Sequence, residues 1–119
     1  MSRRILVVED DPGVRSVLDR GLRLAGYEPT LAVDIAGARA RWAEGPWDLV
    51  LLDVMLPDGD GLDLLTDRRT AGDATPVVLL SAREETELRA RAQAAGVDAS
   101  IGKPFSYQEL LDTVRGLAG

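Results

Sequence analysis

Several short stretches of this 119-residue chain end in side chains able to do chemistry. Glu9-Asp10-Asp11 closes the apolar run 5–8, Asp53 closes 49–52, and Ser81 closes 77–80. Lys103 follows a fainter run at 99–101. Carboxylates gathered in one place repel one another and cost stability unless a cation or a proton intervenes. The chain has no Cys and no His, which removes thiolate and imidazole ligands, thiol nucleophiles and Ser-His-Asp arrangements. Any metal must therefore sit on oxygen ligands, which points to Mg²⁺, Mn²⁺ or Ca²⁺. Mg²⁺ favours one or two carboxylates completed by water and phosphate oxygens, so the set suits a Mg²⁺ and phosphate site. Lys103 is the one lysine among fourteen basic residues, and it offers a compact ammonium where every other cation is a planar guanidinium.

Each group has a plainer use. The acidic triplet can cap a helix, its charge set against the helix dipole, and on the triplet alone both readings stand. Ser81 can simply end a strand, and Lys103 can be a surface charge. Asp53 is harder to dismiss, because it closes the most apolar run in the chain. What separates the readings is the conjunction of acid, acid, Asp, hydroxyl and lysine, one set per strand end in chain order.

The elements that must position these groups can be read from the pattern. Apolar runs at 5–8, 29–33, 49–52, 77–80 and 99–101 alternate with five longer segments of helical character. Three of the runs are continuously apolar, as in strands buried on both faces of a parallel sheet. Pro12 suits a first helical position behind Asp11, with Val14, Val17, Leu18 and Leu22 forming the inner face up to Gly26. Asp34 can cap a second helix with Ile35, Ala38 and Trp42 inward, ending at Gly45. A third runs from about Asp60 through Leu62 and Leu65 to Gly72. A fourth runs from about Glu84 to Ala95 before Gly96, and its thin face of Leu88, Ala92 and Ala95 predicts the most loosely held helix. The last opens with Ser106 and Glu109 at capping-box spacing and buries Leu110, Leu111, Val114 and Leu117. The pattern predicts one domain over 1–119, a three-layer α/β fold: a (βα)5 doubly wound parallel sheet of flavodoxin-like order 2-1-3-4-5. Ligands in such sheets bind outside the carboxyl ends of the strands, near the switch between strands one and three. The candidate groups lie there.

Composition narrows the setting. A net charge of −6 and a pI near 4.6 argue against direct binding to nucleic acid, which needs clustered Lys and Arg. No apolar run approaches the ~18 residues that span a bilayer. The start passes directly into a strand-like run that soon carries acids, unlike a signal peptide. A cytoplasmic protein that does not engage membranes is expected.

The segments Ile5-Leu-Val-Val-Glu-Asp-Asp-Pro12, Asp48-Leu-Val-Leu-Leu-Asp53-Val-Met-Leu-Pro57-Asp-Gly-Asp-Gly61, Pro76-Val-Val-Leu-Leu-Ser81-Ala82 and Lys103-Pro104-Phe105 resemble bacterial two-component response-regulator receiver domains, the CheY-like family. The resemblance covers essentially the whole chain. It implies Asp53 as phosphoacceptor, Ser81 as the hydroxyl that hydrogen-bonds the phosphoryl group, and Lys103 as the cation that pairs with it. It also implies a Mg²⁺ site, Mn²⁺ being a substitute, on Asp10 directly, Glu9 through water, Asp53 and the backbone carbonyl of Met55. The phosphoryl donor would be a phosphohistidine on a partner sensor histidine kinase or phosphotransfer protein, since this chain has no His. Such a domain is a signalling phosphoacceptor, not an enzyme acting on other substrates. The Lys103-Pro104 bond is often cis in the family.

Lys103-Pro-Phe-Ser-Tyr-Gln-Glu-Leu-Leu further resembles the last helix of OmpR-like receivers, implying transcription regulation through a domain outside this chain, with a single-domain regulator as the other reading. It also implies a homodimer promoted by phosphorylation, through the face of helix four, strand five and helix five. Asp98 and Arg115 match two charged positions of that face, while Ala99 stands where a second acid is usual. Ser100 replaces the usual aromatic three residues before the lysine and has little area to bury differently in two states. Strand five is therefore expected to change little on phosphorylation, and helix four to shift. Other readings fit less well. Haloacid-dehalogenase-like phosphatases need an Asp where Met55 stands, and a flavodoxin-type carrier needs a Ser/Thr-rich phosphate loop after strand one. A Walker loop is absent. A docking module independent of phosphorylation would not need all five key positions that the chain retains.

Overall fold

The computed structural model describes residues 2–81 and 86–119, and the side chains of all of these but 86 and 87. The chain runs β1 (Arg4–Val8), α1 (Pro12–Leu24), β2 (Glu28–Ala32), α2 (Ile35–Trp42) and β3 (Leu49–Asp53). A small hairpin of β4 (Met55–Leu56) and β5 (Gly59–Asp60) follows, then α3 (Gly61–Thr70), β6 (Val77–Ser81), α4 (Thr86–Ala95), β7 (Ala99–Gly102) and α5 (Tyr107–Ala118). The main sheet has the order β2-β1-β3-β6-β7 with every pairing parallel. With only its five strands counted, this is the expected 2-1-3-4-5.

Alternation along the strands divides the core. Leu6, Val8, Val50, Leu52, Val77 and Leu79 face α2, α3 and α4, where Ala38, Trp42, Leu62, Leu65, Ala92 and Ala95 meet them. Ile5, Val7, Leu49, Leu51, Val78 and Leu80 face α1 and α5, meeting Leu18, Leu22, Leu110 and Val114. Buried on both faces, the strands are continuously apolar. Register then aligns their ends, Val8 beside Leu52, Asp53 beside Leu80 and Ser81 beside Gly102.

The expected caps form. Asp11 Oδ1 accepts from the Gly13 and Val14 amides at 2.8 and 3.1 Å, Asp34 Oδ1 from Gly37 at 2.7 Å, and Ser106 Oγ from Glu109 at 3.0 Å. One helix face needs correction. Val17 is 58% exposed, while α1 buries Leu18, Gly21 and Leu22. At 3.6 residues per turn, Val17 lies about 90° from the centre of that face. The expected start of the fourth helix at Glu84 lies outside the described residues. Its thin inner face is as expected, with Ala92 and Ala95 buried and Leu88 partly buried.

A polar cluster unforeseen in the sequence links the α3–β6 loop to α2. Asp73 Oδ2 accepts from Trp42 Nε1 at 3.0 Å and Arg68 Nη2 at 2.9 Å. Its Oδ1 accepts from the Thr75 amide at 2.9 Å and hydroxyl at 2.6 Å. Burial by itself would raise this carboxyl, but the two Thr75 donors and then Arg68 hold it down, from 3.8 to about 2. A depressed carboxyl contributes stability that is fully present above its unfolded value and is lost as pH falls through the folded one. The gap corresponds to about 2 kcal/mol, on a side chain only 18% exposed. Asp73→Asn is therefore expected to cost about 2 kcal/mol at pH 7 and much less near pH 2. Urea unfolding of both proteins at the two pH values checks this, and an equal gap at both would sink it.

Candidate functional site

Beyond Val8 the chain leaves the sheet with its Glu9 amide donating to Ala32 O at 3.0 Å. The Glu9 side chain is fully buried, and the Asp10 amide donates to Glu9 Oε2 at 3.1 Å. Asp53, at the end of β3, is buried beside it. Glu9, Asp10 and Asp53 each offer a carboxylate oxygen, the three lying within 4.8 Å of one another. Asp11, next in sequence, turns away to cap α1. The triplet thus divides between the two uses its residue types allow.

Lys103 enters from the far side of the cluster. Its Nζ donates to Glu9 Oε1 at 2.5 Å and to Asp53 Oδ2 at 3.0 Å. The Lys103 amide donates to Ser81 O at 2.5 Å, so one residue ties the ends of β1, β3 and β6 together. The Lys103-Pro104 bond is cis, as expected. Ser81 is buried at the end of β6. Met55 lies in β4 with its side chain 81% exposed, outside the carboxylate group.

Of the three carboxylates, the Lys103 ammonium reaches two, Glu9 and Asp53. Burial, and then the Asp53 carboxylate beside it, push the Glu9 carboxyl up to about 7, although Lys103 pulls the other way. Burial would lower the Lys103 ammonium, but Glu9 and Asp53 outweigh it and raise it. An acid that has difficulty ionising, inside an all-oxygen donor set, is what a hard divalent cation relieves. The residues present fit Mg²⁺ or Mn²⁺.

A family model for the response regulator receiver domain matches residues 5–115. The chain belongs to the response-regulator receiver family. Response regulator MprA of Mycobacterium bovis and that of Mycobacterium ulcerans are each 42% identical to it over 117 residues, which is 98% of this chain and 51% and 50% of theirs. The receiver spans about half the length of these curated relatives. Among solved structures, Vibrio cholerae chemotaxis protein CheY4 superposes with a TM-score of 0.92 at 26% identity, covering 98% of this chain and 99% of that one. The non-phosphorylated HemR receiver domain of Leptospira biflexa also gives 0.92, at 32% identity, covering 99% and 95%. This is a receiver domain of a two-component response regulator. Among the described residues, no helix of the receiver is long and apolar enough to cross a membrane.

Three residues that hold the receiver's site were not singled out in the sequence. Arg15 Nη1 donates to the carbonyls of Glu9 and Asp10. Asp58, in the hairpin after Asp53, accepts from the Ile35 and Ala36 amides at 2.7 and 3.0 Å and so fastens that hairpin to the start of α2. Gly61 packs directly against the Asp53 backbone. Asp58 had a visible signal, an acid in a Pro-Asp-Gly turn. Ser100 is exposed on β7. Asp98 is engaged within its own fold, its Oδ2 accepting from the Val77 amide at 2.8 Å and Arg69 Nη2 at 3.2 Å.

Proposed function

We propose that this receiver accepts a phosphoryl group on Asp53 from a phosphohistidine of a partner sensor histidine kinase or phosphotransfer protein, in a Mg²⁺-dependent reaction. The observation that carries this reading is the Asp53 carboxylate at the strand-end edge of the sheet, joined to Lys103 Nζ at 3.0 Å within the acidic cluster. A carboxylate oxygen of Asp53 forms the new bond to phosphorus as the phosphorus–nitrogen bond breaks, and the electron pair leaves with the imidazole nitrogen. Lys103 takes up charge on the phosphoryl oxygens and the Ser81 hydroxyl donates to one of them. Mg²⁺ held by Asp10, Asp53 and the Met55 carbonyl, with Glu9 acting through water, would supply the positive charge that lets a carboxylate and a phosphoryl group approach. The protein's own contribution is positioning and charge.

The switched output lies, on this reading, in a domain outside these residues, with transcription regulation the OmpR-like case. A phosphorylation-promoted homodimer through α4, β7 and α5 belongs to the same reading. Asp98 would there have to share a carboxylate already held by Arg69 and the Val77 amide. The charge of −6 supports a reading in which this chain itself binds neither nucleic acid nor an anionic membrane surface, and a cytoplasmic location belongs to the same reading.

Incubation with acetyl phosphate tests the proposal. Intact mass should gain one phosphoryl group with Mg²⁺ and none with EDTA, and an equal gain in both would remove the metal from the scheme. The ligand assignment has its own check. Asp10→Ala should weaken Mg²⁺ binding by about tenfold or more, and Asp11→Ala far less, because Asp11 is committed to the Gly13 and Val14 amides. Metal titrations in the opposite order would show the ligands misassigned.

A further inference from the structure

Arg15 stands in the first turns of α1 and reaches back over the loop that follows β1. Its Nη1 donates to Glu9 O and to Asp10 O, each at 3.1 Å. The Glu9 amide is held by Ala32 O at 3.0 Å, and the Asp10 amide by Glu9 Oε2 at 3.1 Å. Every main-chain polar group of the acidic pair is therefore tied inside the protein, and two of the four are tied by one guanidinium. Two successive carbonyls drawn to a single donor fix the peptide planes on both sides of Asp10. What is then left to Asp10 is its side-chain torsions, and its carboxylate falls within the 4.8 Å group with Glu9 and Asp53.

We infer that Arg15 is a positioning residue for the metal site: by pinning the Glu9 and Asp10 carbonyls it aims their carboxylates at Asp53. The inference rests on the metal-site reading proposed above. It has a signature that neither a charge effect nor a purely structural role shares. As a bare cation near a cation site, Arg15 opposes metal binding, and its removal would tighten that binding. As an anchor of the ligand backbone, its removal loosens the site and weakens binding. A residue serving only the fold would alter the melting temperature and leave metal affinity alone.

Mg²⁺ affinity by calorimetry, repeated with Mn²⁺ by electron paramagnetic resonance, is to be measured on the wild-type chain, Arg15→Met and Arg15→Lys, with thermal melts on each. Arg15→Met should bind Mg²⁺ about tenfold more weakly. Arg15→Lys keeps the charge and a donor but loses the planar fork, and should fall between the two. A folded variant that binds as tightly as the wild type, or more tightly, overturns the inference. Should Arg15→Met fail to fold, the lysine variant is judged by the same comparison. A wild-type chain that binds neither ion overturns the metal-site reading itself, a separate result.

Discussion

Asp53→Asn is expected to abolish phosphoryl transfer while leaving the fold at least as stable as before. The amide matches the carboxylate in shape, so β3 and the core beneath it need not move. Its oxygen still accepts from Lys103, which keeps Glu9 as its second partner. What disappears is a negative charge that helps push Glu9 up to about 7. Like charges held together destabilise a fold, and relieving them at a functional site commonly stabilises it. With acetyl phosphate and Mg²⁺, the variant should show no adduct under conditions that modify the wild type, and its melting temperature should hold or rise. Uptake equal to the wild type would place the acceptor elsewhere. A clear drop in melting temperature would mean that Asp53 serves the fold, contrary to the electrostatic argument.

The parallel sheet was legible because burial on both faces leaves a mark that survives without coordinates. Residues 49–52 and 77–80 are continuously apolar, and each is bounded by turn residues. Once the strands are parallel, their carboxyl ends share one edge. The residue that closes each run is thereby placed, and the structure brings Glu9, Asp10, Asp53 and Lys103 together. Val17 was misplaced because residue type was read without its angle around the helix. The β4–β5 hairpin escaped notice because two residues per strand carry no period. Arg15 was missed because its partners are the Glu9 and Asp10 carbonyls, and a backbone group is the same at every position, so nothing in the letters announces it. Asp58 also holds backbone groups, the Ile35 and Ala36 amides, and only its Pro-Asp-Gly turn marked it. Asp73 was missed because the fold alone brings it Trp42, which lies 31 residues away in the sequence.

Gly61→Ala tests the remaining piece of the site's construction. Gly61 opens α3, and its amide donates to Val54 O at 2.6 Å. Its φ is not positive, so conformational freedom is not what requires glycine. Space is. A Cβ there would overlap the Asp53 carbonyl oxygen outright and come within 3.1 Å of the Asp53 carbonyl carbon and 3.2 Å of Leu52 Cγ. Helix propensity pulls the other way, favouring Ala over Gly by up to about 1 kcal/mol. That gain is outweighed, because the obstacle is main chain in the central strand and cannot rotate aside as a side chain would. Either α3 or the Asp53 peptide must shift. A net loss of roughly 2–3 kcal/mol is expected from the overpacking. If the Asp53 peptide moves by about 1 Å, phosphorylation should slow by roughly a hundredfold. Gly116→Ala is the control, a helical glycine with nothing within 4 Å of its would-be Cβ, where propensity alone should stabilise α5. Urea unfolding and acetyl phosphate kinetics on both variants separate the two causes. If Gly61→Ala is as stable and as reactive as Gly116→Ala, the close approach of α3 to β3 is not what positions Asp53.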